Sequence, residues 1–244
     1  MQRGPGQVSL ERALSKLGLA SRTEARALIR EGRVVVDGRP AADPLQLIVP
    51  EKARIEIDGH PAVRPRPRTI LLHKPRGVVT TRSDPEGRPT VYACLEGLEA
   101  EHLIPVGRLD AATTGLLLLT NDTRLAAWIT DPVNAVPRAY LVTVRGELSD
   151  ATAHRLEEGI EDAGEHLSAS QVIIRKRSRR ETHLILALTE GKNREIRRLL
   201  AAVGHEVTRL KRVSFGRLEL GDLAPGRWRE VTEDELRTAF PGKR

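Results

Sequence analysis

Gly107-Arg108-Leu109-Asp110 runs through Ala111-Ala112-Thr113-Thr114-Gly115 into four consecutive leucines, Leu116 to Leu119, and then Thr120, Asn121 and Asp122. A short unbroken apolar run bounded by turn residues reads as a strand covered on both faces. The chain must therefore place a layer on either side of that strand. Asp110 falls on the connection that enters it, where a rigid scaffold can hold a polar side chain. Two roles fit: a carboxylate set up for chemistry, or a turn residue whose carboxylate bonds the backbone near Thr113.

The 244 residues suffice for one large domain, or a large and a small one, with a sizeable core. A net charge of +7 and a pI near 10.0 come mostly from arginine, which stays ionised and recognises phosphate bidentately. An acidic partner is implied. Nucleic acid is the usual one, with an anionic membrane surface or plain solubility as alternatives. The single cysteine, Cys94, excludes an intramolecular disulfide framework and a thiolate metal cluster, and the seven histidines lack metal-ligand spacing, so no metal is expected. Residues 1–8 lack the apolar run of a signal peptide, and no stretch reaches the roughly 18 apolar residues that span a bilayer. A cytoplasmic protein without membrane association is the expectation.

Residues 59–68 interleave three prolines with three arginines, a composition that prevents helix and is expected to form no strand ladder. They divide the chain into a small unit over residues 1–60, a basic linker over 61–68, and a larger domain over 69–244. In the small unit Leu10, Ala13, Leu14 and Leu17 recur at helical spacing and Gly18 stops the run. Ser21 and Glu24 form a capping box that opens a second helix, with Ala25, Leu28 and Ile29 on its buried face. Arg22, Arg26 and Arg30 make a basic stripe on that helix, which Lys16, Arg33 and Arg39 extend; it is either a solvated face or a phosphate-binding one. Residues 33–39 read as a strand ending in an Asp37-Gly38 turn, and residues 54–57 as a second strand.

Beyond residue 69, seven stretches read as strands: 70–73, 102–106, 115–120, 140–144, 172–174, 183–188 and 207–210. Three read as helices: 122–130, 149–158 and 193–203. Their irregular order predicts an α+β domain on a mixed or antiparallel sheet. In the third helix Ile196, Leu199, Leu200 and Val203 form the buried stripe. Arg194 and Arg198 fall nearly opposite it, suited to solvent or RNA phosphate, whereas Arg197 lies at its flank, placed to reach a partly buried partner or to snorkel to water. The run Arg175 to Arg180 reads as a solvated hairpin, with RNA contact as the second reading.

The first quarter of the chain, with Ser21-Arg22-Thr23-Glu24-Ala25 at its centre, resembles the S4 RNA-binding domain, two helices followed by short strands. That likeness implies binding to structured RNA through Lys16, Arg22, Arg26 and Arg33. Nearly the whole chain resembles the RsuA/RluB branch of bacterial rRNA pseudouridine synthases. The resemblance rests on Lys74-Pro75-Arg76-Gly77, on Asp84 to Val91, on Gly107 to Thr120 and on Arg138-Ala139-Tyr140. Glu190 to Leu200, Ala202-Val203-Gly204-His205 and Arg209-Leu210 complete it. It implies that Asp110 is the catalytic aspartate, Tyr140 the active-site tyrosine and Arg197 the basic residue paired with the aspartate. Arg30, Lys74, Arg108, Lys192, Arg194 and Arg198 join the RNA-binding set.

The reaction so implied is isomerisation of uridine to pseudouridine, which consumes nothing and needs no cofactor. The partner is ribosomal RNA or a ribosome assembly intermediate, met by a monomer. The uridine must be flipped out of folded RNA, and Arg108 is the candidate to fill its place. The motifs lean to the large ribosomal subunit, with the small subunit as the alternative. A non-catalytic S4 assembly protein would lack the Asp110, Tyr140 and Arg197 set, and a glycosidic hydrolase would need a second carboxylate aimed at the same site.

Overall fold

The computed structural model describes residues 6–63, 65–98 and 102–242. Arg64 of the basic proline-rich stretch and the first five residues of the N-terminal segment lie outside them. The chain divides into two compact units. One takes the chain up to Arg68 with two short later segments, around Leu103 and over Thr120–Arg124, and the other takes the rest from Thr69.

In the first unit β1 (Val8–Ser9) leads directly into α1 (Leu10–Lys16), and α2 (Arg22–Arg30) follows. Ser21 caps α2 as its sequence indicates: its hydroxyl accepts from the Glu24 N–H at 3.2 Å, and the Glu24 carboxylate accepts from the Ser21 N–H at 2.7 Å. Two of the four orphan donors of that helix end are thereby satisfied. Ala25 and Ile29 are buried and Leu28 packs beside them, against Leu10, Ala13 and Leu14 of α1. The small sheet closes this core. β2 (Val34–Val36) turns at Asp37 and Gly38, both at positive φ, into β3 (Arg39–Pro40), the backbone a two-residue hairpin requires. β4 (Leu47–Ile48) pairs β1, β5 (Ile55–Ile57) pairs β2, and β6 (His60–Pro61) pairs β5. This last strand corrects one expectation: the proline-rich stretch does enter a ladder. Pro61 stands on the edge of the sheet, where its missing N–H interrupts no bond.

The second unit is built on a nine-stranded sheet. Its strands are β7 (Thr69–Lys74), β8 (Ile104–Pro105), β9 (Thr114–Thr120) and β10 (Arg138–Arg145). They continue, after a separate hairpin of β11 (Ile160–Asp162) and β12 (Glu165–Leu167), with β13 (Gln171–Arg177), β14 (Glu181–Leu188), β15 (Val207–Phe215), β16 (Leu218–Glu219) and β17 (Trp228–Glu230). The main path runs β13-β14-β10-β15-β9-β7-β17. β10 is antiparallel to β14 and β15, and β17 to β7, whereas β15 runs parallel to β9, so the sheet is mixed and the unit α+β. Leu116 to Leu119 are all fully buried. Leu116 and Leu118 face a cluster with Leu71, Ile129, Phe215 and Phe240, and by strand alternation Leu117 and Leu119 face the other layer.

The helices are α3 (Thr123–Thr130), α4 (Asp150–Glu158), α5 (Glu195–Ala202) and α6 (Glu233–Ala239). The first three are the expected ones. The last was legible but unread: Thr232 and Glu235 form a second capping box, with Phe240 behind it packed edge-on to Phe215 at 6.1 Å. Among the described residues no helix is long and apolar enough to cross a membrane.

Candidate active site

Asp110 lies on the turn that feeds β9, and its side chain is exposed. The Thr113 N–H donates to the main-chain carbonyl of Asp110 at 3.0 Å, so the backbone closes the turn. The carboxylate makes no hydrogen bond or ion pair among the described residues. The turn reading in which its carboxylate bonds the backbone is therefore corrected.

Three groups from an earlier segment fix this loop. The Gly77 N–H donates to the Ala111 carbonyl at 2.7 Å, and the Thr80 hydroxyl donates to the Leu109 carbonyl at 2.7 Å. The Lys74 ammonium donates to the carbonyls of Thr113 at 2.8 Å, Pro75 at 3.1 Å and, more weakly, Ala111 at 3.5 Å. Lys74 is wholly buried, which pushes its pKa down to about 8 against the opposing pull of Asp110 and Cys94. Its expected role as an RNA contact is corrected, because the buried ammonium is spent on three main-chain carbonyls of the loop. It belongs to the scaffold of the Asp110 loop.

A cavity of about 170 Å³ opens beside Asp110, with Tyr140, Arg197, Arg138, Glu195 and Arg212 on its walls. Arg197 reaches it from the flank of α5, as the helical phase indicates, and donates to the Val207 carbonyl at 3.1 Å. Burial lowers its pKa and the neighbouring Arg194 and Arg76 add to that, while the charge of Asp110 opposes. The carboxylate is thus near enough to favour the guanidinium cation, yet no direct ion pair joins the two among the described residues. Tyr140, also buried, sits on β10 opposite Arg212 of β15, next to a register shift between Ala139 and Tyr140. Such irregularities re-aim side chains at functional sites.

Arg138 and Glu195 lie within the quoted motifs but carry no site role in the sequence reading, and Arg212 lies outside them, although strand alternation carries the signal for both arginines. Arg138 shares the inward face of β10 with Tyr140 and Val142, and Arg212 that of β15 with Leu210. Arg138 donates to the carbonyls of Glu190 at 2.6 Å, Thr189 at 3.0 Å and Ile129 at 3.3 Å. Arg212 donates through Nε to the Leu116 carbonyl at 2.7 Å. Gly115 lets the main chains of β9 and β15 lie close at this register: a Cβ there would stand 2.1 Å from the Arg212 carbonyl oxygen, and its φ of +104° is one that L side chains rarely adopt. Glu195 accepts from the Lys192 N–H at 3.1 Å; burial raises its pKa, and the charges acting on it are Glu190, Lys192 and Arg138. It lines the same cavity as Asp110. Among the described residues no group of three His, Cys, Asp or Glu is placed to hold a metal ion.

The remaining expected RNA contacts fall into two groups. Lys16, Arg22, Arg30, Arg108 and Arg194 are exposed, and their side chains make no hydrogen bond or ion pair among the described residues. Four others are engaged internally. Arg26 bonds the buried Glu11, and Arg33 grips Asp58 at 2.6 and 2.7 Å and Glu31 at 3.1 Å. Lys192 reaches Glu190 at 2.6 Å and the His166 carbonyl at 2.7 Å. Arg198, expected to face solvent or phosphate, ties α5 to the β11–β12 hairpin through Asp162 at 2.6 Å and Glu165 at 2.5 Å. That correction has a simple cause: the hairpin brings carboxylates to a helix face that is polar only in isolation. The run Arg175 to Arg180 does form the end of a hairpin, with Arg177 bonded to Asp150 at 2.6 Å.

Comparison with known proteins places two families on the chain: an RNA pseudouridylate synthase domain over residues 68–202 and an S4 domain over residues 9–50. An RNA pseudouridine synthase of Aquifex aeolicus (strain VF5), itself uncharacterized, is 38% identical over 235 residues, covering 96% of this chain and 94% of the relative. A ribosomal large subunit pseudouridine synthase B of Bacillus subtilis (strain 168) is 35% identical over 230 residues, covering 93% of each. A crystal structure of a pseudouridylate synthase superposes with a TM-score of 0.69 at 28% identity, covering 94% of this chain and 98% of the other.

Proposed function

Because the chain belongs to the RNA pseudouridylate synthase family and carries an S4 domain ahead of the synthase domain, we propose that it converts a specific uridine of large-subunit ribosomal RNA to pseudouridine, with Asp110 as the catalytic carboxylate. The observation that carries this reading is the unengaged Asp110 carboxylate on a rigidly held loop, at a cavity walled by Tyr140 and Arg197. The relatives named for the large subunit support the choice of RNA.

The isomerisation breaks the C1′–N1 bond, turns the base and joins C5 to C1′. The electron pair of the broken bond leaves with the base, C5 finally gives up its proton, and N1 gains one, so nothing is oxidised or consumed. Asp110 acts beside the sugar in one of two ways: as nucleophile at C1′, or by assisting a glycal route through proton movement at C2′. Tyr140 offers a face for the uracil and a hydroxyl for proton transfer, and the Arg197 guanidinium places a positive charge on the same cavity wall. Flipping the uridine costs a few kcal/mol, offset by stacking and phosphate contacts. Arg108, exposed two residues from Asp110, fills the space that the base leaves.

Residues 1–60 act as the RNA-binding module and residues 69–244 as the catalytic domain, joined by 61–68, in a monomer working in the cytoplasm. The second reading, a small-subunit target, differs only in the RNA recognised. Mapping pseudouridines across both ribosomal RNAs from a strain lacking the gene, then after complementation with the parent or with Asp110→Asn, tests the proposal. One large-subunit site should vanish, return with the parent and stay absent with the variant.

A further inference from the structure

Beneath the cavity lie two buried arginines without a carboxylate in ion-pair contact. Arg138 is 6% exposed and Arg212 2%, and both guanidinium carbons stack on the Phe215 ring, 5.0 and 4.7 Å from its centroid. Arg138 spends its donors on three carbonyls. Arg212 does not: among the described residues its Nη2 is the one buried side-chain nitrogen or oxygen with no hydrogen-bond partner. A buried cation with an unmade bond is costly, and such groups persist where a ligand completes them. Arg212 lines the cavity and stands directly across the strand register from Tyr140.

Resting on the function proposed above, we infer that Arg212 Nη2 donates to an exocyclic oxygen of the flipped uracil and takes up the negative charge that spreads onto that oxygen as the C1′–N1 bond breaks. A backbone phosphate is the poorer candidate. It carries its charge before and after the reaction, and the exposed Arg108 and Arg194 at the rim already suit it. A donor lining a cavity of about 170 Å³ meets the base that enters, and a fixed, preorganised cation acts most strongly on charge that develops there. A planar ring stacked on Tyr140 would turn its edge toward the neighbouring strand, where Arg212 stands.

The first test needs no knowledge of the target RNA. Barbiturate is a pyrimidine ring that carries a delocalised negative charge on its exocyclic oxygens, as the departing uracil does, whereas uracil is neutral. Titration of the full-length protein, followed by NMR, should show barbiturate binding about 10–100-fold more tightly than uracil. Arg212→Met and Arg212→Gln should both abolish that ratio. The glutamine variant retains a donor for the Leu116 carbonyl and guards against misfolding of the first. Equal binding of the two rings by the parent, or a ratio that survives in Arg212→Gln, overturns the inference. A purely structural arginine would weaken both ligands alike and leave the ratio intact.

The second test uses the RNA segment that the parent modifies, with sulfur replacing O2 or O4 of the target uracil. One replacement should slow single-turnover chemistry in the parent and add nothing in Arg212→Gln, itself about 10²–10³-fold slower. Strictly additive losses for both atoms overturn the contact. Should the parent form no pseudouridine, the proposed function fails by itself, while the barbiturate ratio still decides whether Arg212 is an anion donor.

Discussion

The ammonium of Lys74 lies 2.8 Å from the Thr113 carbonyl oxygen, wholly buried beneath the loop that carries Asp110. A cation thus holds the Asp110 loop by its main chain and leaves the carboxylate three residues earlier unengaged. Lys74→Met should keep RNA affinity and lower turnover by about 10-fold or more, since small displacements of a reacting group are expensive. Turnover equal to the parent would show that Gly77 and Thr80 suffice.

Lys74 also gives a pH signature. Its folded pKa, about 8, lies below the ordinary lysine value, so between pH 8 and about 10.5 the unfolded chain binds the extra proton and stability rises with pH. Below pH 8 both states are protonated and this contribution is flat. The difference in unfolding free energy between parent and Lys74→Met, measured in urea, should move in the parent's favour by up to about 3 kcal/mol across that window. A difference independent of pH would mean that the amine is not buried in its charged form.

Asp110→Asn should remove product formation and leave RNA binding within threefold, because the amide keeps shape but not charge. As the parent carboxylate is exposed and unpaired, the variant should unfold within about 0.5 kcal/mol of it. A turnover above one tenth of the parent would end the assignment.

Arg197 and Arg198 should separate cleanly. Arg197→Met removes a cavity wall and a charge beside Asp110, so turnover falls while stability changes by no more than about 1 kcal/mol, there being no direct ion pair to break. Arg198→Met releases the β11–β12 hairpin from α5, so the melting temperature drops, less so in high salt, while turnover of the folded enzyme persists. Equal losses of activity from both would place Arg198 on the RNA.

On the S4 unit, Arg22→Gln with Arg30→Gln should reduce the slope of log affinity against log salt by about two, one per phosphate contact. Arg33→Gln should act instead on stability, because its guanidinium is spent on Asp58 and Glu31. An unchanged slope in the double variant would make the stripe a solvated face.

Local pattern carried most of the architecture. The Leu116 to Leu119 run announced a strand with two covered faces, Ser21 and Glu24 announced the start of α2, and apolar spacing put Arg197 at the border of α5. Each of these follows from steric and hydrogen-bonding rules within a few residues. The helix α6 obeyed the same rule through Thr232 and Glu235, and only its three acidic residues in the first turn disguised a segment whose apolar side is short.

Where the charged side chains go was another matter. Composition showed an excess of arginine and motif likeness implied the family, and both are properties of the sequence by itself. Which cations remain free was decided by the tertiary structure. Arg33 meets a carboxylate 25 residues away, Arg198 one 36 away, Lys74 a carbonyl 39 away and Arg212 one 96 away. Helical and strand periodicity fix the direction of a side chain relative to its own element, but a cation's pairing depends on which distant segment folding lays against it.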